Sequence, residues 1–156
     1  MKKLKDEVIQ FFHNQGCVIV STLDESGNIH NSCKGIIKIN HNGKIYLLDL
    51  YQGTTYKNLR RDPRISITAI DEHRFNGYCL QGKAHIIGID ELSTPIISMW
   101  EEKITSRVTG RIIKNLQGQK GHPKHPEAML PKPEYLIAME VENCIDLTPH
   151  HLREED

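Results

Sequence analysis

The chain opens on a short stretch with helical spacing. Leu4, Val8, Phe11 and Phe12 share one face between Lys3 and Asn14, and Gly16 stands where a helix would end, so residues 1–15 predict an N-terminal amphipathic helix. From Cys17 the pattern changes. Val18 to Thr22 is rich in β-branched residues, the turn-like 24–28 interrupts it, and apolar positions resume through Ile36, Ile37 and Ile39, which reads as a hairpin. Asn40 to Gly43 makes a second turn into Lys44 to Asp49, giving a three-stranded meander. Gly53 then opens a short helix, Thr54 to Arg61, which Asp62-Pro63 stops because proline removes a donor and disfavours helical geometry in the residue before it. Arg64 to Ile70 and Tyr78 to Ile89 predict two further strands. Glu91 to about Gln117 is helical in pattern, with Pro95 in its first turn and Gly110 as an expected bend.

Residues 118–133 hold four prolines and read as a loop. Tyr135 to Ile145 restores alternation and supplies a sixth strand, followed by a polar tail over 147–156. The predicted fold is mainly β with flanking helices (α+β), its six antiparallel strands closing into a barrel that removes exposed edges. At 156 residues the chain suits one domain, 1–156, with a real core.

Charge narrows the partners. Twenty Lys and Arg balance twenty Asp and Glu, so no global field draws nucleic acid or an anionic membrane. The longest apolar runs fall far short of the roughly 20 residues of a membrane helix, and the first residues carry no apolar signal core. A cytoplasmic, soluble protein is expected. Cys17, Cys33, Cys79 and Cys144 form no C-x-x-C pair and are expected as reduced, mostly buried thiols.

The chemistry concentrates after the third strand. There Gly53, Thr54 and Thr55 open a helix whose unsatisfied N–H groups and dipole favour an anion, with phosphate the natural occupant. Lys57, Arg60 or Arg61 would supply charge nearby. Ordinary N-capping by threonine is the plainer explanation of the same residues.

Thr55-Tyr-Lys-Asn-Leu-Arg-Arg-Asp-Pro-Arg64 and Leu80-Gln-Gly-Lys-Ala84 resemble the FMN-binding split β-barrels related to pyridoxamine 5′-phosphate oxidase, over about Val18 to Gly88 and again in the last strand. The resemblance implies a homodimeric flavoprotein with FMN between subunits. Ser32, Cys33 and Lys34 would line the flavin, Leu48 and Asp49 would touch it through backbone atoms, and Thr54, Thr55 and Asn58 would surround phosphate or ribityl, with Lys34 or Lys57 adding charge. Many members carry Arg or Lys where Thr54 and Thr55 stand, and the Arg-Leu substrate motif of true pyridoxamine phosphate oxidases is absent from the C-terminus, which disfavours vitamin B6 oxidation. The implied activity is an FMN-dependent oxidoreductase that passes electrons from NAD(P)H or another donor to a small oxidant. A haem-handling split barrel and a non-enzymatic flavin carrier are the alternatives.

Two further features bear on that site. Alternation puts Cys33 and Lys34 on opposite faces of a regular strand unless Gly35 marks a bulge. Lys34 beside Cys33 would lower the thiol's pKa, and a cation near the ring would favour the anionic reduced flavin. His122, His125 and the His150-His151 pair lack a recognisable metal-ligand spacing, and no metal is assigned to them.

Overall fold

In a computed structural model, whose described residues are 1–125, 132 and 134–153, six strands form a closed antiparallel barrel. The elements are α1 (Asp6–His13), β1 (Val18–Leu23), β2 (Ile29–Ile39), β3 (Lys44–Leu48), α2 (Thr54–Arg61), β4 (Arg64–Asp71), β5 (Asn76–Gly88), α3 (Thr94–Leu116) and β6 (Tyr135–Asp146). Around the barrel the order is β1-β2-β3-β6-β5-β4, with β4 returning to β1. The mainly β architecture with flanking helices is as the alternation predicts. The expected loop at 118–133 and tail at 147–156 fall partly on residues outside those described.

The barrel interior is apolar because alternate strand positions point into it. Val18, Val20, Ile45, Leu47, Ile67, Leu80, Ile137, Met139 and Val141 are almost wholly buried. The helix α1 adds Val8, Ile9 and Phe12 to this core at the end carrying the 40–43 turn, where the Leu4 amide donates to the His41 carbonyl. Each such side chain contributes about 1.5–3 kcal/mol of burial. At the opposite end α2 crosses the barrel mouth, with Leu59 in the core, and Arg61 donates to the Leu23 carbonyl. The α2 helix stops as its sequence requires, with Asp62 extended ahead of Pro63.

The third helix runs unbroken past Gly110, where a Cβ would meet open space. Its Ile96, Trp100 and Ile104 pack on Ile37, Leu48 and Leu136, on the outer face of β2, β3 and β6. The bulge in β2 falls at Ile37 rather than Gly35, since Gly35 pairs with Leu48, Ile36 with Leu47 and Lys38 with Tyr46. Gly82 sits where β5 meets a second irregularity in β6, and a Cβ there would lie 2.0 Å from the Glu140 carbonyl oxygen. Only glycine allows that approach.

The rest of the outer surface is different. One row across β2, β1, β4, β5 and β6 is Cys33, Ile19, Thr68, Cys79, Ile145, and the next is Asn31, Ser21, Ser66, Gln81, Asn143. Neither row contains a charged residue, and Ile19 and Ile145 are 46% and 42% exposed.

Candidate functional site

A cleft of about 270 Å³ opens where the middle of β2 and the end of β3 meet α3. Cys33, Lys34 and Gly35 come from β2, Leu48 to Tyr51 from the end of β3 and the chain beyond it, Cys17 from the lead into β1, Arg107 from α3 and His125 from the following loop. Four of the residues expected to touch a flavin, Cys33, Lys34, Leu48 and Asp49, thus line one cavity. The chain leaving it reaches Gly53 and the start of α2 two residues after Tyr51.

The remaining expected residues divide by what already holds them. Thr55, 2% exposed, shares a 2.8 Å hydrogen bond with Ser32 across the barrel mouth. Asn58, 5% exposed, donates from its amide to the Thr22 hydroxyl at 3.0 Å. These two bonds fasten α2 to β1 and β2, satisfying polar groups that burial would otherwise leave costly. Thr54 and Lys57 are exposed, and nothing lies within 4 Å of a Cβ built on Gly53, so the α2 N-terminus is open. Arg60 stacks near the Tyr56 ring and Arg64 pairs with Asp62, which draws both cations away from that end.

Lys34 does not offer a loose charge. Its Nζ lies 2.6 Å from Oδ1 of Asp49, whose side chain is 1% exposed against 13% for the lysine. The pair is buried, and Oδ2 of Asp49 has no hydrogen-bond partner among the described residues. Tyr135, which donates to the Tyr51 carbonyl at 2.7 Å, has its hydroxyl pKa pushed well up by burial and by the nearby Asp49 charge.

The thiol expectations are corrected. Cys17 and Cys33 are exposed rather than buried, while Cys79 and Cys144 are partly buried. Lys34 pulls the Cys33 pKa down as expected, but the net shift is upward. The cleft walls desolvate the thiolate even though the residue is exposed in the protomer, and together with the adjacent Cys17 sulfur they push it up to about 11, outweighing Arg107 and Lys34. Cys33 and Lys34 do face opposite sides of β2, because their partners Ile19 and Val18 are in regular register.

Arg107 and His125 are among the cleft residues that the sequence did not assign to the site. Arg107 donates from its guanidinium to the Gly16 carbonyl at 2.8 Å, and its Nη1 passes 3.0 Å from where a Gly35 Cβ would be. Neither contact leaves a local pattern, since the partners are 91 and 72 positions away. His122 is turned into its own loop, accepting from the Lys124 amide at 3.2 Å. Among the described residues no three His, Cys, Asp or Glu side chains come together as metal ligands, and no helix is long and apolar enough to cross a membrane.

A closed antiparallel barrel with a helix across its mouth and a cleft at that rim defines a split-barrel protein. Residues 4–131 match the family described as pyridoxamine 5′-phosphate oxidase, and the chain belongs to that family. It is similar in structure to HupZ of Group A Streptococcus, at 20% identity and TM-score 0.63 over 93% of this chain and 94% of that one. It is also similar to a Clostridium acetobutylicum protein related to general stress protein 26, of the pyridoxinephosphate oxidase family, at 14% identity and TM-score 0.55 over 96% and 100%. General stress protein 26 of Bacillus anthracis gives 12% identity and TM-score 0.60 over 93% and 94%. At these identities the likeness is one of fold. No curated protein matches the chain.

Proposed function

We propose that the protein is a homodimeric FMN-binding oxidoreductase that reduces a small oxidant with electrons from NAD(P)H or a similar donor. The observation that carries this reading is the cleft, which joins Gly35, Leu48 and the Arg107 guanidinium to the chain leading into the open N-terminus of α2. The donor set fits the cofactor's parts. The first N–H groups of α2 with Thr54 and Lys57 would take the phosphate, and the uncharged wall of Gly35, Leu48 and Cys33 would take the ring. Ser32, Thr55 and Asn58 would act indirectly, by holding α2 in place. Bound flavin supplies hydride and electron transfer, which is why the chain needs no catalytic triad.

Lys34, paired with Asp49, would not act as a loose cation beside the ring. A volume of about 270 Å³ lies below the usual 300–1,000 Å³ of small-molecule sites, so a second subunit would complete the cleft. The uncharged outer rows border it at Cys33 and are the surface on which that subunit would sit.

Titrating the purified protein with FMN, with absorption and fluorescence as readouts, tests the reading. Flavin absorption in the purified protein, or saturable binding of FMN in preference to riboflavin, is the expected result. A Soret band instead would favour haem, with His125 in the cleft as its candidate ligand, and binding of neither would leave a structural role. A monomer that binds FMN tightly would overturn the shared site.

A further inference from the structure

Cys17 and Cys33 belong to different segments but meet at one wall of the cleft. Ile19 is directly opposite Cys33 in the β1–β2 ladder, so Cys17, two positions earlier, is the diagonal neighbour of Cys33 on the same outer face. Both thiols are exposed, and the Cys17 sulfur is near enough to bear on the Cys33 thiol. Diagonal neighbours on paired strands stand about 7–8 Å apart at Cα, just beyond the ~7 Å within which a disulfide closes without backbone movement. Cys17 lies outside β1 and follows Gly16, around which a Cβ would meet nothing within 4 Å. The Gly16 carbonyl accepts from Arg107, and the segment must shift within that contact to close the difference.

We propose that Cys17 and Cys33 are a redox-active pair, oxidised to an intramolecular disulfide by a small hydroperoxide that enters through the cleft. The Cys17 sulfur attacks the peroxide O–O bond, becoming a sulfenic acid as the other oxygen leaves as an alcohol, or as water from hydrogen peroxide. The Cys33 thiol then attacks the sulfenic sulfur, and the S–S bond forms with release of water. Two thiols are oxidised for one peroxide reduced. The balance is the same if Cys33 attacks the peroxide first and Cys17 resolves. The other two cysteines offer no equivalent. Leu80 pairs with Cys144, so the neighbouring Cys79 and Cys144 point to opposite faces of the barrel wall.

The inference does not rest on the proposed function, but a ring seated against Cys33 would shield that thiol, so the test uses protein freed of bound cofactor. That test is to treat the full chain with hydrogen peroxide, count remaining thiols, measure the intact mass and map the peptides. The expected result is loss of two of the four thiols, a mass lower by two hydrogens, a single cross-linked peptide pair containing residues 17 and 33, and full reversal by dithiothreitol. Cys17→Ser and Cys33→Ser should each abolish the bond, while Cys79→Ser and Cys144→Ser leave it intact. A bond elsewhere, stable sulfinic acid at one cysteine, or four thiols surviving peroxide that oxidises free cysteine would each overturn the proposal. Mapping on the unmutated chain keeps the test decisive if a variant fails to fold.

Discussion

Lys34→Met removes one partner of a buried ion pair and leaves the other in place. The lysine ammonium is 2.6 Å from an Asp49 carboxylate whose side chain is 1% exposed, and the second carboxylate oxygen already lacks a partner among the described residues. Methionine keeps most of the aliphatic length and none of the charge, so Asp49 is stranded in a poorly hydrated position. Breaking such a pair from one side costs about 3–5 kcal/mol, a large share of a domain's ~5–15 kcal/mol. Removing both partners, in Lys34→Met with Asp49→Leu, should recover most of the loss, because the paired charges themselves contribute little net stability once desolvation is counted. Lys83 and Glu142 provide a control within the molecule: 3.7 Å apart with side chains 64% and 52% exposed, they should lose under ~1 kcal/mol when Lys83 becomes Met. Urea denaturation of the four proteins reads this directly, provided the slope is unchanged. The reasoning fails if Lys34→Met costs no more than Lys83→Met, or if the double variant is no more stable than the single one.

Thr54→Ala should weaken FMN by up to about 1.5–3 kcal/mol while sparing riboflavin, whereas Thr55→Ala should chiefly lower stability by about 1 kcal/mol, by leaving the Ser32 hydroxyl unpartnered; calorimetric titration and thermal melts separate the two. Thr68→Lys, in the middle of the uncharged outer row, should convert a dimer to monomers in light scattering and abolish cofactor binding with it. Arg64 donates to the Asp62 carboxyl and holds its pKa down from 3.8 to about 2. A folded-state pKa below the unfolded one makes this contribution complete above about pH 4 and lost as pH falls toward 2, so Asp62→Asn should flatten that part of the stability curve, measured by denaturant midpoints across pH.

Local chemistry was legible throughout the sequence. The bounds of α2, the turns at 24–28 and 40–43 and the six strands follow from proline, glycine and a period-two pattern, each of which acts within a few residues. The strand–turn–helix passage from Lys44 to Arg61 likewise marked where an anion could sit. What the polar residues there do was decided elsewhere. Whether Lys34 meets a ligand or Asp49 depends on the β2–β3 register, and the bulge at Ile37 instead of Gly35 is visible only once both strands are paired. Thr55 and Asn58 became fastenings because α2 lies across the barrel mouth, a placement set by Leu59 and the closing of the barrel. Arg107 and His125 entered the cleft, and Cys17 came beside Cys33, through contacts between segments far apart in the chain. Periodicity tells which way a side chain points from its own strand, but only the packed barrel brings a partner to meet it.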